Sequence, residues 1–453
     1  MRKRRMVMIV GMIAALAIAV IAAGVPHGTP EKAQAYYRSL ATVLEIRTSD
    51  TILDSTLDDV PAYLGYAGLT GADLQRLSPD VLMDPVSLGN ACARDSNGAA
   101  GGCAAAISNP TAFRAALAAA PLRSGDILVS RFFAPKITNV NDPPATRGLG
   151  WRKLIRLRTR PGSQAAKHAI DGAIILFNFF TLPGVKPFGA DAESVNTQVI
   201  LTTTAPNRDS IYWLDYGKVS LGGKLSLQLD ASFDARDFDP NTGQGGGQSG
   251  IQPYFVPDGC VGCHGGENEH KALVNYLDTD HWFDRLDNDF SRVRLEGSAV
   301  LFDAGTDDST APDYLKAFNV IRQFNKEAEQ QAAVVQPESF HRAAARKWLQ
   351  LHENSADHFP PIVRAVLSTP AWTLQLPNDA EELALLNRYC FRCHGTIKFN
   401  VFDKAAVSQR SPQIRDRLQP LPEQLRRDPG FVMPLDRKLP PADLQRILEL
   451  LPQ

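Results

Sequence analysis

The chain has 453 residues, 44% of them hydrophobic and 21% charged, with 48 basic and 49 acidic side chains. This mix excludes a disordered or collagen-like chain, and a net charge of −1 gives no electrostatic footing for nucleic-acid binding. The length exceeds one ordinary domain and points to about three.

Arg2, Lys3, Arg4 and Arg5 precede an uncharged apolar run from Met6 to Val25, the layout of a secretory signal. The same run is long enough to stay in a bilayer as an anchor. Ala17-Ile18-Ala19 and Ala33-Gln34-Ala35 both fit a small-x-small cleavage site. Residues 1–35 are therefore expected to be a signal peptide or membrane anchor. The body of the chain is expected in the periplasm or on the outer face of the cytoplasmic membrane, and is mildly acidic once the N-terminal basic residues are set aside.

Residues 36–124 read as a helical region. Leucines recur at helical spacing after Tyr36 and Asp73, residues 111–120 are rich in alanine, and Gly, Asn and Pro keep the helices short. Cys92 and Cys103 lie close together here. In an oxidising compartment they would close a short disulfide loop worth about 2–3 kcal/mol; the alternative is two unrelated free thiols.

Residues 125–250 read as a β-rich domain. Runs at 126–133, 198–204 and 210–216 are rich in Val, Ile, Thr and aromatic residues, and Gly222-Gly223 marks a hairpin turn before the alternating Leu225, Leu227 and Leu229. The expectation is an antiparallel sheet or a sandwich. Residues 243–250 are a Gly-rich linker by composition. Asp237-Phe238-Asp239-Pro240-Asn241 hints at a calcium loop, but the glycine falls one place late and Gln248 stands where a bidentate Glu belongs, so the alternative is an Asx-rich turn.

Two short strings follow: Cys260-Val261-Gly262-Cys263-His264-Gly265 and Cys390-Phe391-Arg392-Cys393-His394-Gly395. Two thiols with two residues between them reach the two vinyl groups on one edge of a porphyrin and form thioethers, and the adjacent imidazole is brought under the iron. CxxCH is the haem-attachment signature. CxxC pairs also bind zinc or act as redox dithiols, but a His-Gly after both pairs and an export segment favour two covalently bound haem c groups. Cys260, Cys263, Cys390 and Cys393 would hold the porphyrins, and His264 and His394 the irons. Residues 251–375 are then a first haem c domain, with prolines 360, 361 and 370 near its end, and residues 376–453 a second.

In the second, Asn378-Asp379 can cap a helix carrying Leu383, Leu386 and Tyr389 into the haem cysteine, Met433-Pro434 lies in a loop after Gly430, and Leu444, Ile447, Leu448 and Leu451 make a terminal amphipathic helix with Asp443 in its opening turn. Over 376–453 this order resembles a small class I cytochrome c. The resemblance implies His394 as proximal and Met433 as distal ligand. Apart from Met433, Met83 is the only methionine outside the export segment. Methionine ligation would make this the higher-potential haem.

The expected fold class is α+β and multidomain: a helical and antiparallel β-rich N-terminal region, then two mainly α-helical cytochrome c-like haem domains. For the first haem the distal candidates are His270, His281, His341, His352 and His358. His281, in an aromatic and acidic stretch, is the first choice, His352 the second, and an open position the third. The leading functional expectation is electron transfer between other redox proteins. The alternative is a di-haem peroxidase or oxygenase with the first haem as the reactive site and Glu267, Glu269, His270 and Trp282 nearby; a third is a sensing or binding role led by the N-terminal half.

Overall fold

Apolar and alternating runs between residues 127 and 227 pair, in a computed structural model of the chain, into one antiparallel sheet of six strands in simple chain order. The described residues are 28–46, 55–76, 107–123, 125–135, 149–179, 196–203, 211–221, 224–227, 229, 238–239, 244–245, 255–264, 272–277, 312–352, 378, 381–383, 385–386, 390, 399, 401, 403–427 and 439–452. The strands are β1 Ile127–Pro135, β2 Leu149–Arg158, β3 Ile170–Asn178, β4 Asn196–Thr203, β5 Ile211–Leu221 and β6 Lys224–Leu227. Leu221 pairs with Lys224, which leaves Gly222-Gly223 as the two-residue turn between β5 and β6. A two-stranded ribbon, β7 Phe238–Asp239 with β8 Gln244–Gly245, stands where the linker was expected.

Residues paired across an antiparallel sheet share a face. Arg156, Ile174, Ile200 and Trp213 therefore form one row, and Ile155, Ile175, Val199 and Leu214 a row on the opposite face. Both rows are buried. The second face meets the N-terminal helices α1 Pro30–Leu44, α2 Asp59–Tyr63, α3 Gly71–Arg76 and α4 Pro110–Ala119, with the short α5 Gln164–Lys167 leading into β3. Lys153 of β2, fully buried, donates to the Gln75 carbonyl of α3 at 3.0 Å, and the Tyr66 hydroxyl donates to the Arg158 carbonyl at 2.8 Å.

The first face meets α6 Asp258–His264 and α7 Pro312–Val335, which pairs with α8 Phe340–His352. Glu327 of α7 ties to the sheet through Arg156 Nε at 2.9 Å and Arg158 Nη2 at 3.1 Å. The chain closes with α9 Lys404–Leu418, α10 Pro422–Arg427 and α11 Pro441–Leu450. Ile447 and Leu448 of α11 are buried, and Arg446 clamps Glu381 at 2.7 and 2.6 Å, linking the terminal helix to the residues before Cys390.

These packings overturn the expected fold class. A single hydrophobic cluster runs from Tyr36 through the sheet and α7 to Leu451, around one sheet rather than a sandwich. The first CxxCH segment does not sit in a mainly helical cytochrome-like domain. The seven-residue α6 has too little apolar surface for its own core and closes instead on β5, while α7 covers the sheet. Among the described residues no helix is long and apolar enough to cross a membrane; the run 6–25 lies outside them.

Candidate functional site

Cys260 and His264 occupy positions i and i+4 of α6, so helical geometry puts them on one side of it, with Cys263 between them in the chain. Asp258 stands in the first turn, where its charge suits the helix dipole, and Lys32 of α1 holds it at 2.5 Å. The Cys260 sulfur is buried, and burial, with Asp215 and Asp258 adding to it, pushes its thiol well above the ordinary value. A thioether carries no charge and suits this buried position near two carboxylates.

His264 is held by a reciprocal clamp. Its ring Nδ1 lies 2.9 Å from the Leu273 carbonyl, and the Leu273 amide donates back to the His264 carbonyl at 3.1 Å. A carbonyl only accepts, so Nδ1 carries the proton and Nε2 keeps its lone pair. Burial pushes the imidazole down to about 4; the Leu273 hydrogen bond opposes this, and His341 and Arg152 add to it. Trp213 of β5 packs against the ring, centroids 4.4 Å apart and planes tilted by 58°.

The segment bearing Leu273, residues 272–277, is in no helix or strand and has no strand beside it among the described residues. Side-chain amides of α7 stand in for one. Gln331 accepts from the Val274 amide at 3.1 Å and donates to the Ala272 carbonyl at 3.2 Å. Asn325, fully buried, accepts from the Leu277 amide at 2.7 Å and donates to its carbonyl at 2.9 Å. His341 of α8 donates from Nε2 to the Val274 carbonyl at 3.1 Å. Two imidazoles thus grip successive carbonyls of one segment.

The sheet edge behind Trp213 is closed by α1. β6 reaches only as far as Tyr216 along β5. Beyond it the Trp213 amide donates to the Tyr36 hydroxyl at 2.8 Å and the Asp215 amide to the Tyr37 hydroxyl at 3.3 Å. Two phenols thus satisfy an edge that would otherwise stay open.

The structure brings Cys260 and His264 together. Cys263 follows in the same helix, but its side chain lies outside the described residues, as do Cys393, His394, Met433, His281, Cys92 and Cys103. Cys390 is described and half-buried. Of the two histidines considered for the first haem that are among the described residues, His341 acts electrostatically on His264, whereas His352 rests on Trp348 with centroids 4.3 Å apart. Trp213, Leu273, Asn325 and Gln331 were missed in the sequence. Only Trp213 carried any signal there, as an aromatic in a strand, and that signal is the same for a core residue. The donor set at α6 fits a covalently held haem: a buried neutral sulfur and a neutral imidazole with Nε2 spare. No protein-family model, curated protein or solved structure matches this chain.

Proposed function

We propose that the chain is an exported c-type cytochrome that carries two haem groups, one at Cys260, Cys263 and His264 and one at Cys390, Cys393 and His394, and passes electrons between partner redox proteins. The observation that carries this reading is the clamp on His264. It fixes the tautomer that leaves Nε2 as a ligand, directly after a CxxC. A carbonyl accepting from Nδ1–H also raises the basicity of the other nitrogen.

Haem supplies reversible one-electron chemistry at its iron. The chain supplies position and environment. α6 carries both cysteines and the imidazole, Leu273 sets the imidazole's orientation, and Trp213 excludes water from one side of it. At the second motif the proposed ligands are His394 and Met433. Of the two candidate processing sites, Ala33-Gln34-Ala35 lies inside α1, whose Ala33 is fully buried and whose Lys32 holds Asp258. Cutting at Ala17-Ile18-Ala19, or keeping the anchor, leaves α1 whole.

Redox titration of Met433→Ala tests the assignment. One of two potentials should fall by a sizeable part of the roughly 0.8 V range that axial ligands set, and the other should stay where it was. Two unchanged potentials would refute the ligand pair.

A further inference from the structure

The apolar run near the N-terminus ends almost on top of the first CxxCH helix. Only Pro26 and His27 separate Val25, the last residue of that run, from Gly28. Three backbone steps reach at most about 11 Å. Gly28 packs on the residues that open α6. Its φ of +70° suits glycine, and a Cβ there would stand 3.0 Å from Asp258 Oδ2 and 3.2 Å from Phe255 Cβ. Four residues on, Lys32 Nζ holds Asp258 Oδ1 at 2.5 Å.

The start of α1 between these two contacts is fixed as well. The Thr29 hydroxyl accepts from the Lys32 amide at 3.2 Å, and Pro30 opens the helix. Behind it Ala33, Tyr36 and Tyr37 are buried, and both phenols tie to β5. The connection from Val25 to α6 therefore has almost no slack. The run itself has twenty residues and no charge, enough to cross a hydrocarbon core of about 30 Å. Four basic residues precede it, which keeps that end in the cytoplasm and the body outside. A cut at Ala33-Gln34-Ala35 would break α1, and one at Ala17-Ile18-Ala19 would leave Val20 to Val25 as an apolar tail.

We infer that residues 6–25 stay in the cytoplasmic membrane and that the grip of Gly28 and Lys32 on Asp258 seats the start of α6 on the outer surface of the bilayer. The partner of this face is lipid. The part that concerns electrons rests on the haem reading above: the first haem is the one on the membrane side and exchanges electrons with a lipid-soluble carrier. The other end of α1 lies away from the bilayer. Glu45, its C-cap residue, accepts from Gln164 of α5 at 2.5 Å, and fifteen residues at 1.5 Å each put α5 about 22 Å further along the helix.

Photocrosslinking of the full haem-loaded chain in nanodiscs tests this, with phosphatidylethanolamine and phosphatidylglycerol as bulk lipids and a diazirine carried on a lipid headgroup. Intact mass should show residues 6–25 still present. Adducts should fall on residues 28–32 and on Phe255 and Asp258, both partly exposed, at least tenfold more often than on residues 164–167. Ten Gly/Ser residues inserted after Val25 lie outside every contact described and free the body by about 17 Å. They should cut the adducts at 255 and 258 at least fivefold while the chain stays in the disc. The same insertion should slow reduction by a long-tailed quinol confined to the disc at least tenfold, and leave reduction by aqueous ascorbate unchanged. The quinol becomes a quinone, giving one electron to each ferric iron and two protons to water. A chain recovered without its apolar run, equal adducts on α5 and α6, or adducts and quinol rates indifferent to the insertion would overturn the inference. Crosslinking reads the polypeptide alone, so a colourless chain with the expected adducts would count against the haem reading, and a haem-loaded chain without them against this one.

Discussion

Trp213→Ala is expected to lower the stability of the chain by about 3–5 kcal/mol, the usual cost of truncating a large buried aromatic. The indole is buried in the row that faces α6, and its ring lies 4.4 Å from that of His264. Its ring nitrogen has no hydrogen-bond partner among the described residues, so the loss is one of packing. Trp213→Phe should recover most of it. A second effect separates a role at the site from a purely structural one. The hole left by alanine opens beside the imidazole and admits water. Water favours the more highly charged oxidised iron, so the potential of the first haem should fall while that of the second holds. A denaturation midpoint and a redox titration on the same preparation check both parts. A variant as stable as the parent would contradict the packing described for β5.

Asn325→Leu should rank beside it. The substitution keeps the branching of the asparagine side chain, though not its smaller volume, and strands both the amide and the carbonyl of Leu277, which Asn325 pairs through one side chain. Each orphaned group costs about 1–3 kcal/mol, so a total of about 2–6 kcal/mol is expected. The damage should be local. Residues 272–277 hang on α7 by two amide side chains, Asn325 and Gln331, and on His341. Loss of the first should raise amide exchange across this segment before the sheet responds. Leu273 lies within it, so the His264 clamp should loosen too. Unchanged exchange at 273, 274 and 277 would show that the segment is held by something else.

The parts of this architecture that could be read in advance are those whose cause is local. β1, β4 and β5 were legible from β-branched and aromatic runs, and the β5–β6 turn from Gly222-Gly223. β2 was not, because four basic residues at 152, 153, 156 and 158 break its apolar pattern. Their partners are distant in the chain: Lys153 is satisfied at Gln75 and Arg156 at Glu327. Ala173 to Phe177 of β3 read as an apolar run without alternation, because helices cover both faces of the sheet there. The same distinction explains the fold-class error. The two CxxCH strings suggest two self-contained haem units, yet the surface that buries α6 belongs to a strand some fifty residues upstream.

The candidate site divides in the same way. The spacing of Cys260, Cys263 and His264 is a local string in the sequence, so those residues announce themselves. The groups that orient His264 do so by tertiary contact and leave no motif. His281, preferred for its aromatic and acidic neighbours in sequence, lies outside the described residues; among those described, His341 donates to the Val274 carbonyl, next to the carbonyl that holds His264.

The most direct test is the intact mass and visible spectrum of the chain produced in a host competent for covalent haem attachment, recorded after extraction with acidified solvent. The account predicts a coloured polypeptide heavier than its amino acids by two haem groups, losing one haem when Cys260 and Cys263 are both changed to Ser and the other when Cys390 and Cys393 are. A colourless chain at its bare sequence mass, or colour that the extraction removes, would contradict it.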